Sequence, residues 1–270
     1  MNLVAITWDP PIALFGFLRL YSLMFVIAFA LGYQIMKQIF NDEKIEIEKL
    51  DKLLMWVVFA TILGARLGHV LFYDWAYFSQ RPEEILLPFK FRPVFRFTGF
   101  AGLASHGAAI GIVTALYFFS KKIVKKPLLY LLDRVSLTIA CGGVFVRLGN
   151  LMNSEIIGYP TGTDYGFIFK ALGENFARHP TQLYESFGYL IVFLIIYYMF
   201  WKTKAKEKLG LIFGVFFALL WSVRFVVEFF KEAQVDERSD WFLNTGQWLS
   251  VPLVLVGLYF TLSAKKTQKK

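Results

Sequence analysis

The 270-residue chain has one cysteine, Cys141, and three scattered histidines, His69, His106 and His179. One thiol excludes a disulfide framework and a catalytic thiol pair. Lying within an apolar run, Cys141 reads as a small packing residue. The histidines and the thiol lack metal-ligand spacing, so neither a metal nor a cofactor is expected. No internal repeat and no second domain can be read, so residues 1–270 are taken as a single integral membrane domain. The opening MNLVAITWDPPIALFGF lacks the basic stretch of a secretory signal peptide. The net charge of +9 does not imply a nucleic-acid partner, because the lysines sit in short loops between apolar runs. There they read as topology signals and as contacts to anionic headgroups of the bilayer.

Hydrophobic residues, by contrast, make up 57% of the sequence, and apolar runs of membrane length recur throughout. That pattern belongs to a polytopic, all-α membrane helical bundle. Seven spans are expected, at Leu14–Ile39, Leu53–Phe72, Gly99–Phe119, Leu128–Met152, Leu183–Trp201, Leu209–Phe230 and Gln247–Leu262. Alternate loops are rich in lysine: Lys37 to Lys52, Lys121 to Lys126, Lys202 to Lys208 and the tail from Lys265. The positive-inside rule puts these loops and the C-terminus in the cytoplasm and the N-terminus outside. Residues 153–182, between the fourth and fifth spans, then form a small external head.

Three arginines and a histidine interrupt the apolar runs. Arg66, Arg147 and Arg224 each lie five or six residues before the outward end of their span, and His106 lies seven residues into its own. At 1.5 Å per residue, each is about 8–10 Å below the outer boundary. A guanidinium facing lipid at that depth is costly, so convergence on a water-accessible cavity is expected. Asn150 lies one helical turn after Arg147 on the same face. Arg224 and Glu228 have the i, i+4 spacing of a helical ion pair. Asp133–Arg134, near the opposite membrane face, reads as structural. His106, between the small residues Ser105 and Gly107, is placed to take up a proton, since an imidazole titrates near neutral pH. Guanidinium forks hold phosphate through paired hydrogen bonds, so composition and depth point to an anionic phospholipid or another amphipathic anion. They leave open whether that ligand is bound, moved or chemically changed.

Ordered motifs go further. Arg147-Leu148-Gly149-Asn150-Leu151-Met152-Asn153-Ser154-Glu155, followed by Gly158, resembles the signature of the prolipoprotein diacylglyceryl transferase family. So do Gly64–Tyr73, Ser105-His106-Gly107, Arg178–Glu185, Arg224–Phe229 and Gly246–Pro252, each in its expected place. The chain departs from the family at Ala108, where a second glycine is common, and at Val146, where glycine usually precedes the arginine. It departs also at Ser22 and around Leu220. The resemblance implies transfer of diacylglyceryl from phosphatidylglycerol to the lipobox cysteine of a prolipoprotein signal peptide, in the bacterial cytoplasmic membrane. It implies catalytic roles for His106, Arg147, Arg224 and Glu155, with His106 and Glu155 rival bases. Substrate contacts would fall to Tyr21, Arg66, Asn150, Asn153, Gly158 and Glu228, though Arg66 has a structural alternative. Two other classes remain at this point: a transporter or flippase of an anionic lipid, and a scaffold without chemistry.

Overall fold

The computed structural model describes residues 5–11, 13–87, 89–91, 94–97, 102–232 and 242–266. Gly99, where the third span was expected to start, lies outside them, as do Arg92, Arg238 and Lys270. The helices are α1 (Leu20–Asp42), α2 (Ile47–Phe72), the single turn α3 (Trp75–Phe78), α4 (Ser105–Phe119), α5 (Leu128–Met152), α6 (Thr181–Lys202), α7 (Leu211–Val227) and α8 (Thr245–Ser263). A π-turn extends α4 to Val124 and a 3₁₀ turn extends α7 to Phe230. Seven helices are long and apolar enough to cross a membrane. The bundle is therefore helical and multi-pass, with strands only as four short two-stranded pairs among the described residues.

One expected boundary is corrected. Leu14–Arg19 does not begin the first span; Ala13–Leu14 pairs antiparallel with Leu18–Arg19. The intervening turn puts Phe15 at φ 53° and Gly16 at φ 79°. A right-handed helix cannot pass through that conformation, whereas glycine accepts it without steric cost.

The chain forms two compact units, residues 1–39 with 132–270 and residues 40–131. In the smaller unit α2 and α4 approach backbone to backbone. Gly64 and Gly68 on α2 meet Gly107 and Gly111 on α4, and a Cβ at Gly107 would stand 2.2 Å from the Gly64 carbonyl oxygen. Small residues at i and i+4 on both helices permit this approach, which gives association without a large apolar seam. The small residues beside His106 are thus spent on helix packing.

In the larger unit α7 and α8 use the same device: a Cβ at Gly257 would stand 2.3 Å from the Ala218 nitrogen. Asp133, fully buried on α5, accepts hydrogen bonds from the backbone N–H groups of Gly210 and Phe213, each at 2.9 Å. It therefore caps the start of α7 from another helix, satisfying donors that every helix N-terminus leaves open. Arg134 is 4.0 Å from the same carboxylate, so this pair is structural. Asn244 and Gln247 form a capping box at the start of α8, with Gln247 N donating to Asn244 Oδ1 at 2.8 Å and Asn244 N donating to Gln247 Oε1 at 3.1 Å.

Candidate functional site

In the larger unit, the site grows from the last turns of α5 and the loop that follows. Arg147 Nε is 2.8 Å from Glu185 Oε2 on α6. Its Nη1 donates to Asn150 Oδ1 at 3.2 Å, one turn further along α5. Asn150 Nδ2 donates to Glu155 Oε2 at 3.3 Å, and Asn153 Nδ2 donates to Glu155 Oε1 at 2.9 Å. A continuous polar chain thus runs from fully buried Glu185 through Arg147 and Asn150 to the exposed carboxylate of Glu155. Neither oxygen of Glu185 has a well-aligned hydrogen-bond donor among the described residues, so Arg147 balances it as a charge.

The loop geometry is strained. Ser154 lies at φ 54° and Ile156 at φ 57°. A β-branched residue in the left-handed region is an outlier that surrounding contacts must hold. Those contacts come from the first turn of α6, where Gln182 Nε2 donates to the Glu155 carbonyl at 2.6 Å and Thr181 Oγ1 to the Ile156 carbonyl at 2.8 Å. Glu155 N closes back on the Asn150 carbonyl at 2.9 Å. The strained turn folds the Glu155 side chain back over the end of α5, onto the two asparagines.

Tyr21, at the start of α1, lies within electrostatic reach of Glu155 and Arg147, and a Cβ at Gly149 would touch its ring at 3.4 Å. Tyr189, buried on α6, lies within reach of Glu185, Arg147 and Arg224, so the arginines of α5 and α7 share one neighbour. Arg224 also rests over the Trp221 ring, 5.4 Å from its centroid.

The expected ion pair between Arg224 and Glu228 does not form. Glu228 still sits one turn beyond Arg224, its N–H donating to the Arg224 carbonyl, but its carboxylate is taken by another cation. Glu228 Oε2 instead accepts from Lys231 Nζ at 3.1 Å, both residues buried. Asn244 Nδ2 donates to the Glu228 carbonyl at 3.1 Å. Gly158 is fixed by close approach: a Cβ there would stand 2.5 Å from the His179 carbonyl oxygen and 2.6 Å from that of Phe230. The following loop is knit around Arg178, whose Nε and Nη2 each lie 2.6 Å from a different oxygen of Glu174. Arg178 Nη1 donates to Glu232 and to the Gly158 carbonyl, each at 3.0 Å. Ile6–Trp8 pairs in parallel with Phe167–Phe169, and Trp8 Nε1 donates to the Leu151 carbonyl at 2.9 Å.

The smaller unit holds Arg66 and His106. Arg66 is buried, its Nε donating to the Ile85 carbonyl at 2.6 Å and its Nη2 to that of Glu84 at 2.7 Å, with the Phe78 ring 4.6 Å away. This guanidinium anchors the connection that leaves α2. The Glu84 carboxylate accepts from the Tyr77 hydroxyl at 2.6 Å and from Phe91 N at 2.8 Å. These bonds, the tyrosine's first, hold the Glu84 carboxyl below its ordinary range and push the Tyr77 hydroxyl up. His106 stands in the first turn of α4 with its side chain exposed. Within that unit it makes no hydrogen bond or ion pair among the described residues.

Sequence reasoning assigned no role to Glu185, Gln182 or Tyr189. Gln182, Glu185, Ser186 and Tyr189 follow i, i+3, i+4, i+7 spacing, and all four are buried. A polar stripe within an otherwise apolar run was the available signal. Among the described residues no group of three or more His, Cys, Asp or Glu side chains could hold a metal ion.

Residues 11–263 match the family model described as prolipoprotein diacylglyceryl transferase. A Bacteroides fragilis protein named phosphatidylglycerol–prolipoprotein diacylglyceryl transferase is 38% identical over 264 residues, covering 96% of this chain and 95% of its own length. Proteins of the same name from Tolumonas auensis and Chloroherpeton thalassium are 38% and 37% identical, covering 93% and 97% of this chain and 92% and 95% of theirs. With most of both sequences aligned and the signature residues gathered around Arg147, the chain belongs to the prolipoprotein diacylglyceryl transferase family.

Proposed function

We propose that this protein transfers the diacylglyceryl group of phosphatidylglycerol to the lipobox cysteine of prolipoproteins, in the bacterial cytoplasmic membrane and from the outer leaflet. The observation that carries this reading is the Arg147 cluster. A nearly buried guanidinium, 12% exposed, is held by an acid on one side and an amide on the other. A guanidinium carries five N–H donors; Glu185 faces Nε, Asn150 accepts from Nη1, and Tyr189 takes part in one further side-chain hydrogen bond. Further donors are left for a phosphate, with Arg224, which shares Tyr189 as a neighbour, as a second cation.

Thioether formation fixes which bonds change. The cysteine sulfur attacks the glyceryl carbon, the bond from that carbon to the phosphate oxygen breaks, and its electron pair leaves on glycerol phosphate. A free thiol of pKa ~8.5 is only a few per cent ionised at pH 7, so a base that takes its proton speeds the step. His106, exposed at the start of α4, is assigned that role, and Glu155 is the rival. Charge builds on the departing phosphate, where fixed cationic donors stabilise the transition state most. Arg147 and Arg224 supply them, while Asn150, Asn153 and Tyr21 orient the site. Gly158 and Glu228 shape the adjoining loop, and Arg66 serves the fold of its own unit. Residues 153–182 form an external head, and the chain works as one integral membrane domain without a cofactor.

The test is on the lipid side. Purified protein incubated with phosphatidylglycerol and a lipobox peptide should release glycerol phosphate. Movement of intact phosphatidylglycerol between leaflets with no such release would make the protein a flippase instead.

A further inference from the structure

The connection leaving α2 carries a feature that the transfer reaction does not use. Phe89–Lys90 and Arg96–Phe97 form a two-stranded antiparallel hairpin in which Lys90 and Arg96 stand directly opposite each other. Like charges in directly opposed positions destabilise a hairpin. Residues 85–104, the hairpin and its flanks, contain neither aspartate nor glutamate. Neither Lys90 nor Arg96 forms an ion pair among the described residues; Lys90 Nζ lies 5.4 Å from the centroid of the Tyr77 ring. Glu84 is within electrostatic reach of Lys90, but both its oxygens already accept hydrogen bonds, from Tyr77 and from the Phe91 backbone.

Aromatic contacts hold the two cations together despite the repulsion. Phe89 stacks on Phe95 at 5.3 Å and meets Phe97 edge-on at 5.6 Å. Both cations line one groove of about 410 Å³, together with Arg66, His69, Tyr77 and the two carboxylates Asp74 and Glu84, so three cations face two acids there. Arg66 Nε and Nη2 are engaged by the carbonyls of Ile85 and Glu84. The far wall is Gly102 at φ 79°, whose backbone lies so close to the His69 ring that a Cβ would stand 2.4 Å from Nε2. A locally unfavourable pair, kept in place by surrounding packing, marks a position held for a ligand rather than for stability. The ligand that relieves it carries concentrated negative charge and several acceptor oxygens, to which an ammonium and a guanidinium can both donate.

We propose that this groove is a second anion site, in which Lys90 and Arg96 together bind the phosphate of a phosphate ester. Two sources share that chemistry: the phosphodiester of a phospholipid headgroup and a free phosphate monoester in solution. The site consists wholly of residues of the smaller unit, and its occupancy can be read without measuring transfer.

The full-length protein is placed in phosphate-free maltoside micelles, into which either phosphatidylglycerol or glycerol phosphate is titrated. Binding is read by phosphorus NMR and by the ligand-dependent rise in melting temperature. Wild type should show a saturable phosphate that Lys90→Gln and Arg96→Gln each weaken at least ~10-fold, the scale of one charge-assisted hydrogen bond. Lys90→Arg, which keeps the charge, should retain it. Because repulsion is removed, Lys90→Gln in detergent alone should melt at or above the wild-type temperature. Binding of glycerol phosphate would identify the soluble source. A response confined to phosphatidylglycerol would identify the lipid. Equal phosphate occupancy in wild type and both Gln variants, with either probe, overturns the proposal. So does a Lys90→Gln melt below wild type without anion, since the pair would then not be strained.

Discussion

Arg66 and Arg147 look alike in sequence, each a lone arginine within an apolar run and five or six residues from its end. The fold uses them in opposite ways. Arg66 spends its guanidinium on two backbone carbonyls and an aromatic face, which ties a connection to its helix. Arg147 faces side chains, a buried carboxylate and an amide whose other end leads to a surface acid. Backbone carbonyls are fixed acceptors that close a guanidinium to ligands. A side-chain acid sets its charge and orientation and leaves donors for something else. Partner type, rather than depth, separates the arginine tied to backbone from the one we propose to act on the substrate.

The largest expected effect tests that separation. Arg147→Lys keeps the charge but loses the planar fork, and transfer should fall by at least ~100-fold, the usual cost of a lost transition-state donor. Arg66→Lys should lower the melting temperature, while transfer per folded molecule stays within several-fold of wild type. Transfer assays paired with thermal melts of the two variants read both. If Arg66→Lys lost transfer as severely without loss of stability, the contrast would fail.

Next comes the base. His106→Asn should lose about 10²–10⁴ in rate with phosphatidylglycerol binding intact. The deficit should shrink from about pH 6.5 to 9, because a substrate thiol of pKa ~8.5 then ionises unaided. A flat deficit would pass the role to Glu155. Arg147→Lys should show no such recovery, since both side chains stay charged over that range.

A smaller effect, on stability alone, is expected at the α2–α4 contact. Gly107→Ala puts a methyl into the Gly64 carbonyl, 2.2 Å away, and should destabilise the smaller unit by about 1–3 kcal/mol. Hydrogen exchange of α2 and α4 amides would report it, and unchanged protection would show that the helices separate easily.

The smallest effect is a pH dependence of the Arg66 region. Glu84 has a lowered pKa in the folded state, so its contribution is present above the ordinary glutamate value of ~4.3. That contribution is lost as pH falls through the folded value. Tyr77 has a raised pKa, so its share is present below ~10 and lost as pH rises beyond. Protection of the Phe91 amide should therefore fall at both ends of the range, and in Tyr77→Phe the alkaline loss should vanish.

Much of this was legible beforehand. The fourth span was placed at Leu128–Met152, the bounds of α5, because Pro127 and the polar Asn153-Ser154 leave little freedom at either end. The residues around Arg147 were found because an ion within an apolar run is conspicuous. The turn at Phe15–Gly16 was hidden by its own hydrophobicity, since an apolar hairpin and the first turns of a span have the same composition. Glu185 was overlooked because its polar stripe is diluted by the aromatic and aliphatic residues of α6. The partners of Arg66 were illegible: backbone carbonyls leave no trace in side-chain identity. The i, i+4 spacing does place Glu228 one turn from Arg224, but spacing alone does not reveal that Lys231, three residues on, takes its carboxylate.

The most direct test of the central claim is the mass of the peptide product. Pure protein, phosphatidylglycerol and a peptide carrying a lipobox cysteine should yield a peptide heavier by one diacylglyceryl group. The same peptide with serine at that position should gain nothing, and Arg147→Lys should make little product in the same time. Phosphatidylglycerol left intact with the cysteine peptide unmodified, or a serine peptide modified equally well, would contradict the account.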